Sequence, residues 1–417
     1  MAVIADDLTG ACATGALLVP LGRVQVIWDV SPSWLRAVGR SAPEALVVCT
    51  DSRPAPPDVA AGRTVAAATA LRALGAALVA KRIDSTLRGW IGQELRALLE
   101  VLPGRAVVVA AAPAAGRTVT GGVVHVHGVP LDRAEGVRGP DGPARAHVPT
   151  LVAAQAEMDV AHVPLETVRQ GGQAVRAVLE AFHGRIVVAD AETDADLARI
   201  ARACDGLPVI PTDPGPFTAA VARRRAAGAG PPGGGGHGLV RPTAVRVLVL
   251  AGSPTALVAR QVDALARETG TDVVRLDPAR AADPAHRADL ADRARGLLDR
   301  AAVAVVHASA GDHPAAPGRA VAGALGEVAA RVLEATAPGL GLVATGGDVA
   351  LAVCRALGAS AIEVLGEVLP LCAAGRLLYG RHEGTPIVTK GGMVGADDAL
   401  VRAWRALREG WVPAWSP

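Results

Sequence analysis

The chain has 417 residues, a net charge of +2 and few aromatic residues: six Trp, one Tyr and two Phe. Its length exceeds one ordinary core and predicts two domains, while the scarcity of aromatic side chains argues against base stacking on nucleic acid. No apolar run reaches the roughly 18 residues of a membrane span, and the N-terminus lacks the basic start and apolar core of a signal peptide. Five scattered cysteines without a C-x-x-C pair are typical of reduced residues. We therefore expect a cytoplasmic protein that binds neither nucleic acid nor membrane.

The N-terminal half alternates short apolar runs with helical stretches. Strands are predicted at residues 1–5, 24–28, 45–49, 77–80, 106–111 and 186–189. Between them, segments such as 59–74 and 91–101 show the apolar spacing of amphipathic helices. This alternation predicts an α/β fold with a mostly parallel sheet.

A stretch rich in glycine and proline, AGAGPPGGGGHG, follows at residues 227–238. Such a composition favours neither helix nor strand and is typical of a flexible linker. The pattern of strand, glycine turn and helix restarts at 245–265, and further strands are predicted at 303–307 and 341–344. We therefore predict a first domain over 1–226, a linker over 227–244 and a second α/β domain over 245–417.

Four predicted strands of the first domain end in polar clusters. They are IADDLTGACATG (4–15), with Asp6 and Asp7; CTDSRP (49–54), with Asp51 and Arg53; KRIDSTLRG (81–89), with Lys81, Arg82, Asp84, Ser85 and Arg88; and PAAGRTVTGG (113–122), with Arg117. Open α/β sheets bind ligands at the carboxyl ends of their strands. Guanidinium groups suit a carboxylate, and Asp, Ser and Thr suit hydroxyls, so the clusters predict a site for a sugar acid or similar hydroxy acid.

Each cluster also has a purely structural interpretation. Asp6 or Asp7 would cap the following helix, Asp51 would belong to a simple turn, Arg88 would pair with Asp84, and Arg117 would lie in a solvated loop. The sequence leaves these alternatives open.

Three glycine turns of the second domain each precede a helix: AGSPTA (251–256), ATGGDVA (344–350) and TKGGMVGADD (389–398). Glycines let backbone N–H groups approach a phosphate, and a helix N-terminus favours its charge. Lys390 lies in the third turn, and Lys81 is the only other lysine of the chain. The turns predict a phosphate or nucleotide site. The missing dinucleotide fingerprint disfavours a nicotinamide-dependent oxidoreductase.

Together these motifs resemble one family, the four-carbon acid sugar kinases, also known as DUF1537. IADDLTGA, TDSR, KRIDSTLRG and PAAGRT resemble its N-terminal substrate domain, and AGSPTALVARQ, TGGDVALAVCRALG, LGEVLP and VTKGGMVGADDAL resemble its C-terminal nucleotide domain. The resemblance implies two α/β domains with the active site in the cleft between them. It also implies transfer of phosphate from ATP, with Mg²⁺, to the terminal hydroxyl of a four-carbon sugar acid.

The resemblance further implies roles for individual residues. Asp7, Arg53, Asp84, Ser85, Arg88 and Arg117 would hold the acid, and we add Asp6, Asp51 and Arg82 from the same clusters. Ser253, Gly346, Gly347, Asp348, Val349 and Gly392 would hold ATP, with Gly391 and Gly395 shaping the same loop and Lys390 within it. Asp7 or Asp84 would orient or deprotonate the acceptor hydroxyl. Mg²⁺ with Lys81 or Lys390 would offset the developing charge, and the sequence points to no metal ligand.

Three positions depart from the family pattern. Ala13 stands where an aspartate or asparagine is usual, LPLCAAG (369–375) replaces a G-x-P turn, and TDPGPF (212–217) replaces a turn like G-S-G-L. The loss of a polar group at Ala13 predicts a less hydroxylated or differently substituted acid, or weakened catalysis. The alternative function is therefore a catalytically weakened or non-catalytic homologue that binds a small acid and a nucleotide as a sensor. The identity of the acid stays open, and a homodimer is one expectation for the assembly.

Overall fold

The structure is a computed structural model that describes residues 1–31, 34, 38, 41–134, 146–227, 244–308, 318–336 and 338–411. The chain divides into two compact units, Met1–Gly235 and Gly236–Pro417. Residues 228–243 of the linker predicted at 227–244 lie outside the described residues. Among the described helices, none is both long and apolar enough to span a bilayer.

The described part of the first unit contains eleven strands. They are β1 (Ala2–Ala5), β2 (Val24–Ile27), β3 (Ala45–Cys49), β4 (Val79–Arg82), β5 (Arg105–Val108), β6 (Arg117–Thr120), β7 (Val123–Val126), β8 (Val129–Pro130), β9 (Val160–Val163), β10 (Ile186–Ala189) and β11 (Val209–Asp213). Eight of them form a parallel sheet in the order β2-β3-β1-β4-β11-β5-β10-β9, and β6, β7 and β8 form a small antiparallel sheet. The Val- and Ile-rich strands β1, β3 and β10 are buried along their whole length, because helices cover both faces of a parallel sheet.

Helices connect these strands. They are α1 (Leu8–Leu18), α2 (Pro57–Ala73), α3 (Ile91–Val101), α4 (Val148–Ala156), α5 (Leu165–Gln170), α6 (Gly172–Ala181), α7 (Asp194–Ala203) and α8 (Pro216–Ala227). In α3, Ile91, Leu95 and Leu98 recur at helical spacing and are buried.

The centre of this sheet positions the polar clusters. β1 pairs with β3 on one side and with β4 on the other, through Val3↔Val47 and Val3↔Ala80. The chain leaves β1 toward β2 and leaves β4 toward β5, which lie on opposite sides. The adjacent carboxyl ends of β1 and β4 therefore form a topological switch point, where open α/β sheets leave a crevice for ligands.

The described part of the second unit contains seven strands and five helices. The strands are β12 (Arg246–Ala251), β13 (Val273–Leu276), β14 (Val303–Ala308), β15 (Leu340–Thr345), β16 (Ala361–Leu369), β17 (Cys372–Leu378) and β18 (Pro386–Lys390). The helices are α9 (Ala256–Thr269), α10 (Pro284–Arg300), α11 (Gly318–Ala335), α12 (Gly347–Ala356) and α13 (Ala399–Glu409). The strand order is β13-β14-β12-β15-β18-β17-β16, and β17 runs antiparallel to both of its neighbours.

The second unit has its own switch point between β12 and β15. The chain leaves β12 toward β13 and leaves β15 toward β16, again on opposite sides. The first four strands of each unit have the same relative order, β2-β3-β1-β4 and β13-β14-β12-β15. The two units thus share an arrangement that no repeat in the sequence reveals.

The structure corrects parts of the sequence prediction. The strand predicted at 77–80 lies at Val79–Arg82, so Lys81 and Arg82 belong to the strand. The charged side chain of Lys81 can be buried in this strand because a buried partner neutralises its charge. The segment 113–122, predicted as the polar end of a strand, contains a strand of its own, β6. The sequence also missed the antiparallel pair of β16 and β17; segment 369–375, which departs from the family pattern, contains the end of β16, the connection and the start of β17.

Candidate active site

The carboxyl end of β1 places Asp6 and Asp7 at the first switch point. Asp7 is the N-cap of α1, and its Oδ1 accepts a hydrogen bond from the backbone N–H of Gly10 at 2.9 Å. The hydroxyl of Thr9 donates to Asp7 Oδ2 at 2.7 Å. The capping interpretation is therefore correct for Asp7, but its carboxylate also has partners other than the capped helix.

Two arginines from neighbouring strand ends converge on both aspartates. Arg53 holds Asp6 in a bidentate pair, with Nε to Oδ2 at 2.7 Å and Nη2 to Oδ1 at 2.8 Å, and reaches Asp7 Oδ1 at 2.9 Å. Arg82 Nη1 donates to Asp6 Oδ1 at 3.1 Å and to Asp7 Oδ1 at 2.8 Å. Burial opposes ionisation of Asp6, but the nearby charges of Arg53, Arg82 and Lys81 outweigh it and hold its pKa at about 2. Asp6 is therefore a fixed anion that orients both guanidinium groups.

Gly10 makes room for Arg82. A Cβ at this position would lie 1.9 Å from Arg82 Cζ, so the guanidinium packs directly on the first turn of α1. Among the described residues, Arg82 Nε is a buried donor without a hydrogen-bond acceptor. Native structures rarely leave such a donor unsatisfied, and a ligand or an ordered water would complete it.

Asp84 and Arg88 form the ion pair that the structural interpretation proposed. Arg88 Nε and Nη2 donate to the two carboxylate oxygens of Asp84 at 2.6 and 3.1 Å, and Thr86 donates at 2.6 Å. Burial opposes ionisation of Asp84, but Arg88 and Arg53 keep its pKa well below the usual range. The Arg88 side chain is 49% exposed, so it remains accessible while it is paired. Arg53 Nη2 lies 3.7 Å from Asp84 Oδ1 and joins this pair to the Asp6 and Asp7 network.

Lys81 does not face this network with an open ammonium group. Its side chain is fully buried, its Nζ lies 3.0 Å from Glu94 Oε2 in α3, and it donates to the Arg82 carbonyl at 2.9 Å. Glu94 Oε1 also accepts from Ser52 at 2.5 Å. This placement disfavours the predicted catalytic role of Lys81, because its charge is already neutralised inside the protein.

The remaining predicted acid-site residues lie around the same edge. Ser85 is 6% exposed, and Asp51 has a φ of +49°, consistent with the predicted turn. Arg117 is not in a solvated loop, as the alternative proposed, because it is 5% exposed and starts β6. Burial lowers the pKa of Arg117 despite the nearby charge of Asp84, and its Nη1 lies 3.3 Å from His127 Nε2.

The second switch point brings the three glycine turns together. Thr345 and Lys390 are paired in the register of β15 and β18, and the N–H of Gly346 donates to the Lys390 carbonyl at 2.8 Å. A Cβ on Gly392 would lie 2.8 Å from Ser253 Oγ. The turns after β12, β15 and β18 are therefore in contact with one another.

The first turn of α12 carries the other predicted nucleotide residues. Gly346 has a φ of +104°, which favours glycine, and Gly347 begins the helix. Asp348 is exposed in the first turn, whereas Val349 is buried. A Cβ on Gly252 would lie 2.4 Å from Val349 Cγ2, so Gly252 packs directly on this turn. Small residues on this surface leave the N-terminus of α12 open to a phosphate.

Lys390 is fully buried and points into the segment that follows β18. Its Nζ donates to the carbonyls of Gly391 at 2.8 Å and Val394 at 3.1 Å. Burial lowers its pKa to about 8. The structure thus places Lys390 beneath the glycine turn, where the sequence predicted a group that meets phosphate charge.

Sequence reasoning missed several buried polar residues at these edges. Glu94 and Gln261 are buried inside helices α3 and α9, and His307 is buried at the end of β14. Asp213, in the departing segment 212–217, accepts from the N–H groups of Gly215, Phe217 and Thr218 at 2.8, 2.7 and 3.1 Å. Burial raises the Asp213 pKa to about 6 against those hydrogen bonds. The one sequence signal that could have identified such buried residues is a polar residue on the otherwise apolar face of a helix, and it applies to Glu94 and Gln261.

The described residues contain no group of three or more His, Cys, Asp and Glu side chains arranged to hold a metal ion. Ala13, the remaining position that departs from the family pattern, lies in α1 and is 2% exposed.

Two family models cover most of the chain. Residues 1–221 match a sugar-binding N-terminal domain, and residues 248–400 match a nucleotide-binding C-terminal domain. Two solved structures share the fold. A Salmonella typhimurium protein described as a putative tRNA synthase has a TM-score of 0.75 at 24% identity, with 98% of this chain and 99% of that chain covered. A Haemophilus influenzae DUF1537 protein has a TM-score of 0.69 at 23% identity, with 98% and 100% covered.

Curated relatives align along nearly the whole chain. A D-erythronate kinase of Heliobacterium modesticaldum is 38% identical, with 95% of this chain and 94% of that protein covered. A D-threonate kinase of Salmonella typhimurium is 33% identical, with 98% of both covered. A 3-oxo-tetronate kinase of Burkholderia multivorans is 29% identical, with 97% and 96% covered. The chain therefore belongs to the four-carbon acid sugar kinase family, DUF1537, and is a phosphotransferase with an alcohol group as acceptor.

Proposed function

We propose that this protein transfers the γ-phosphoryl group of ATP to the terminal hydroxyl of a four-carbon sugar acid. The observation that carries the proposal is the network of aspartates and arginines at the switch point of β1 and β4, centred on Asp6, Arg53 and Arg82. The names of the relatives, which are kinases of erythronate, threonate and 3-oxo-tetronate, support the length and class of the acid.

Arginines would bind the carboxylate of the acid. Arg88 is half exposed, and Arg53 and Arg82 are held in place by Asp6. A guanidinium has five N–H donors, so an arginine that is paired with one aspartate can still donate to a ligand. Fixing these side chains before the acid arrives lowers the entropic cost of binding.

Asp7 and Asp84 are the two candidates for orienting the acceptor hydroxyl. Both carboxylates already accept hydrogen bonds from arginines, and the low pKa of Asp84 makes it a weak proton acceptor. Phosphoryl transfer depends mainly on alignment and on neutralisation of charge, so a carboxylate that only orients the hydroxyl is sufficient. We therefore favour Asp7 as the residue that orients the acceptor hydroxyl and Asp84 as the residue that positions Arg88.

The second unit would hold the nucleotide. The N-terminus of α12 at Gly347 and the glycine turn at 391–395 present backbone N–H groups, which bind phosphate oxygens. A Cβ at Gly392 would lie 2.8 Å from Ser253 Oγ, so a larger residue there would displace the Ser253 side chain. ATP supplies the phosphoryl group, and Mg²⁺ commonly reaches such sites on the phosphates with several of its own waters.

A substrate panel tests this function. The protein is incubated with Mg²⁺-ATP and each stereoisomer of erythronate, threonate and the 3-oxo-tetronates, and ADP release is followed with a coupled reporter. We expect ADP release that depends on one of these acids and is abolished in Arg53→Ala. The exposed residue Arg72 provides the matched control, and Arg72→Ala should retain full activity. ATP binding without ADP release for any acid would contradict the proposal and would favour the sensor function instead.

The predicted homodimer belongs to this proposal as well. Size-exclusion chromatography with light scattering measures it directly, and a mass of about 42.0 kDa, the mass of a single chain, would exclude it.

A further inference from the structure

The carbonyl groups of the segment that follows β18 accept hydrogen bonds from buried side chains on one side of the segment. Two buried side chains, Lys390 and Gln261 of α9, act as the donors. Lys390 Nζ donates to Gly391 O at 2.8 Å and Val394 O at 3.1 Å, and Gln261 Nε2 donates to Val394 O at 3.1 Å, Gly395 O at 3.4 Å and Ala396 O at 2.9 Å. Thr255 Oγ1 also donates to the Gly392 carbonyl at 3.4 Å. Most carbonyls of segment 391–396 therefore point inward, toward polar side chains of the unit.

This arrangement fixes the direction of the N–H groups. In a trans peptide the carbonyl of one residue and the N–H of the next point in opposite directions, and the described residues contain no cis peptide bond. The N–H groups of Gly392, Gly395, Ala396 and Asp397 therefore point away from Lys390 and Gln261. No hydrogen bond among the described residues is donated by these four groups. Successive N–H groups that point to one side form a concave site for anions.

The backbone conformation of this segment supports the same orientation. Gly395 has a φ of +81°, in the left-handed region that favours glycine. The segment is also joined to the next phosphate-binding element, since the N–H of Gly346 donates to the Lys390 carbonyl at 2.8 Å. The N–H groups after β18 and the N-terminus of α12 thus lie on neighbouring strand ends, and together they suit a chain of phosphates better than a single one.

We propose that Gln261 and Lys390 are positioning residues for the phosphate chain of the nucleotide. They hold segment 391–396 by its carbonyls so that its N–H groups receive the phosphate oxygens, and neither side chain contacts phosphate itself. This inference rests on the proposed nucleotide site of the second unit. It gives Gln261 a role that sequence reasoning did not identify, and it changes the role of Lys390 from a ligand of phosphate to a support of the loop.

Binding of ATP, measured by calorimetry on the full chain, tests the inference without knowledge of the acid. Gln261→Met keeps the length of the side chain but removes its donors. We expect it to weaken ATP binding about ten- to a hundredfold, because three carbonyls lose the Gln261 donor while Val394 O keeps only Lys390 and Ala396 O keeps only the N–H of Ala399. The exposed residue Gln173 of α6 provides the matched control, and Gln173→Met should bind ATP like the original protein.

Lys390 variants separate support of the loop from direct contact with phosphate. Lys390→Met should weaken ATP binding by a similar factor, and Lys390→Gln, which retains N–H donors without the charge, should recover most of that loss. Circular dichroism of each variant verifies that it is folded, and AMP serves as a second ligand whose affinity should fall less, because it has a single phosphate.

Three results would overturn the inference. The first is that Gln261→Met binds ATP within twofold of the original protein. The second is that Lys390→Gln binds as weakly as Lys390→Met and that ATP binding by both variants depends less on salt than in the unaltered protein, which would indicate direct contact between the Lys390 charge and phosphate. If the unaltered protein fails to bind ATP at all, the proposed function itself is wrong, and that outcome is distinct from the first two.

Discussion

The buried ion pair of Lys81 and Glu94 offers a sharp test of how the acid site is supported. Its side chains are 0% and 3% exposed, and its Nζ and Oε2 atoms are 3.0 Å apart. Lys81→Met removes the cation while retaining most of the side-chain volume. It leaves the Glu94 carboxylate buried with Ser52 as a remaining donor. Removing one partner of a buried pair typically costs ~3–5 kcal/mol, and we expect a loss of this size in the free energy of unfolding.

The double variant Lys81→Met with Glu94→Leu removes both charges. Replacing a buried pair by apolar residues of similar volume is often close to neutral, so the double variant should recover most of the lost stability. The pair of Arg96 and Glu157 provides the control, because Arg96 lies in the same helix as Glu94 and its side chain is 50% exposed. Arg96→Ala should cost at most ~1 kcal/mol, since exposed pairs contribute little.

Urea titrations followed by tryptophan fluorescence and far-UV circular dichroism measure these free energies, with the two units fitted as separate transitions. A loss below ~1 kcal/mol for Lys81→Met would refute the assignment of Lys81 to a buried structural pair. It would also restore the possibility that its ammonium group faces a ligand. An equal loss in the double variant would show that the charges themselves are not the cause.

Three further predictions concern the acid site. Since the Asp6 pKa of about 2 lies below the ~3.9 of an unfolded aspartate, Asp6 contributes ~2–3 kcal/mol of stability above about pH 4, which is lost as the pH falls through about 2. Urea titrations between pH 2 and 6 should therefore show a shallower acid loss in Asp6→Asn, and an unchanged slope would contradict the low pKa. Gly10→Ala should improve helix propensity by ~1 kcal/mol yet raise the KM for the acid more than tenfold, because the new Cβ displaces Arg82; an unchanged KM would contradict this. Steady-state kinetics should show a kcat loss of about a hundredfold or more in Asp7→Asn and mainly a higher KM in Asp84→Asn, and the reverse pattern would exchange the two roles.

The architecture of both units follows from features that a sequence displays. Short runs of Val, Ile and Leu between helical segments indicate buried parallel strands, and the strands at 45–49 and 186–189 have the predicted boundaries. Polar residues directly after such strands must meet, because parallel strands end at the same edge of the sheet. This reasoning anticipated that Asp6, Arg53 and Arg82 would lie together.

The partners of these polar residues could not be predicted in the same way. A sequence does not show whether an arginine and an aspartate will bind a ligand or each other, and the structure pairs Arg53 with Asp6 and Arg88 with Asp84. Lys81 looked available because its partner, Glu94, lies on a helix that only tertiary packing brings close. Local propensity carries no information on such contacts.

Gln261 illustrates the same limit in the second unit. It occurs within an ordinary amphipathic helix, and the carbonyls that it holds lie more than 130 residues later in the chain. Only the fold brings the two together.

Identification of the phosphorylated product tests the central claim most directly. The acid that supports ADP release is incubated with Mg²⁺-ATP, and phosphorus–proton couplings in the NMR spectrum of the product locate the new phosphate. We predict a phosphomonoester on the terminal CH₂ of the acid, formed in equal amounts with ADP. Inorganic phosphate in place of that ester, or a phosphate on the carboxylate, would contradict the account.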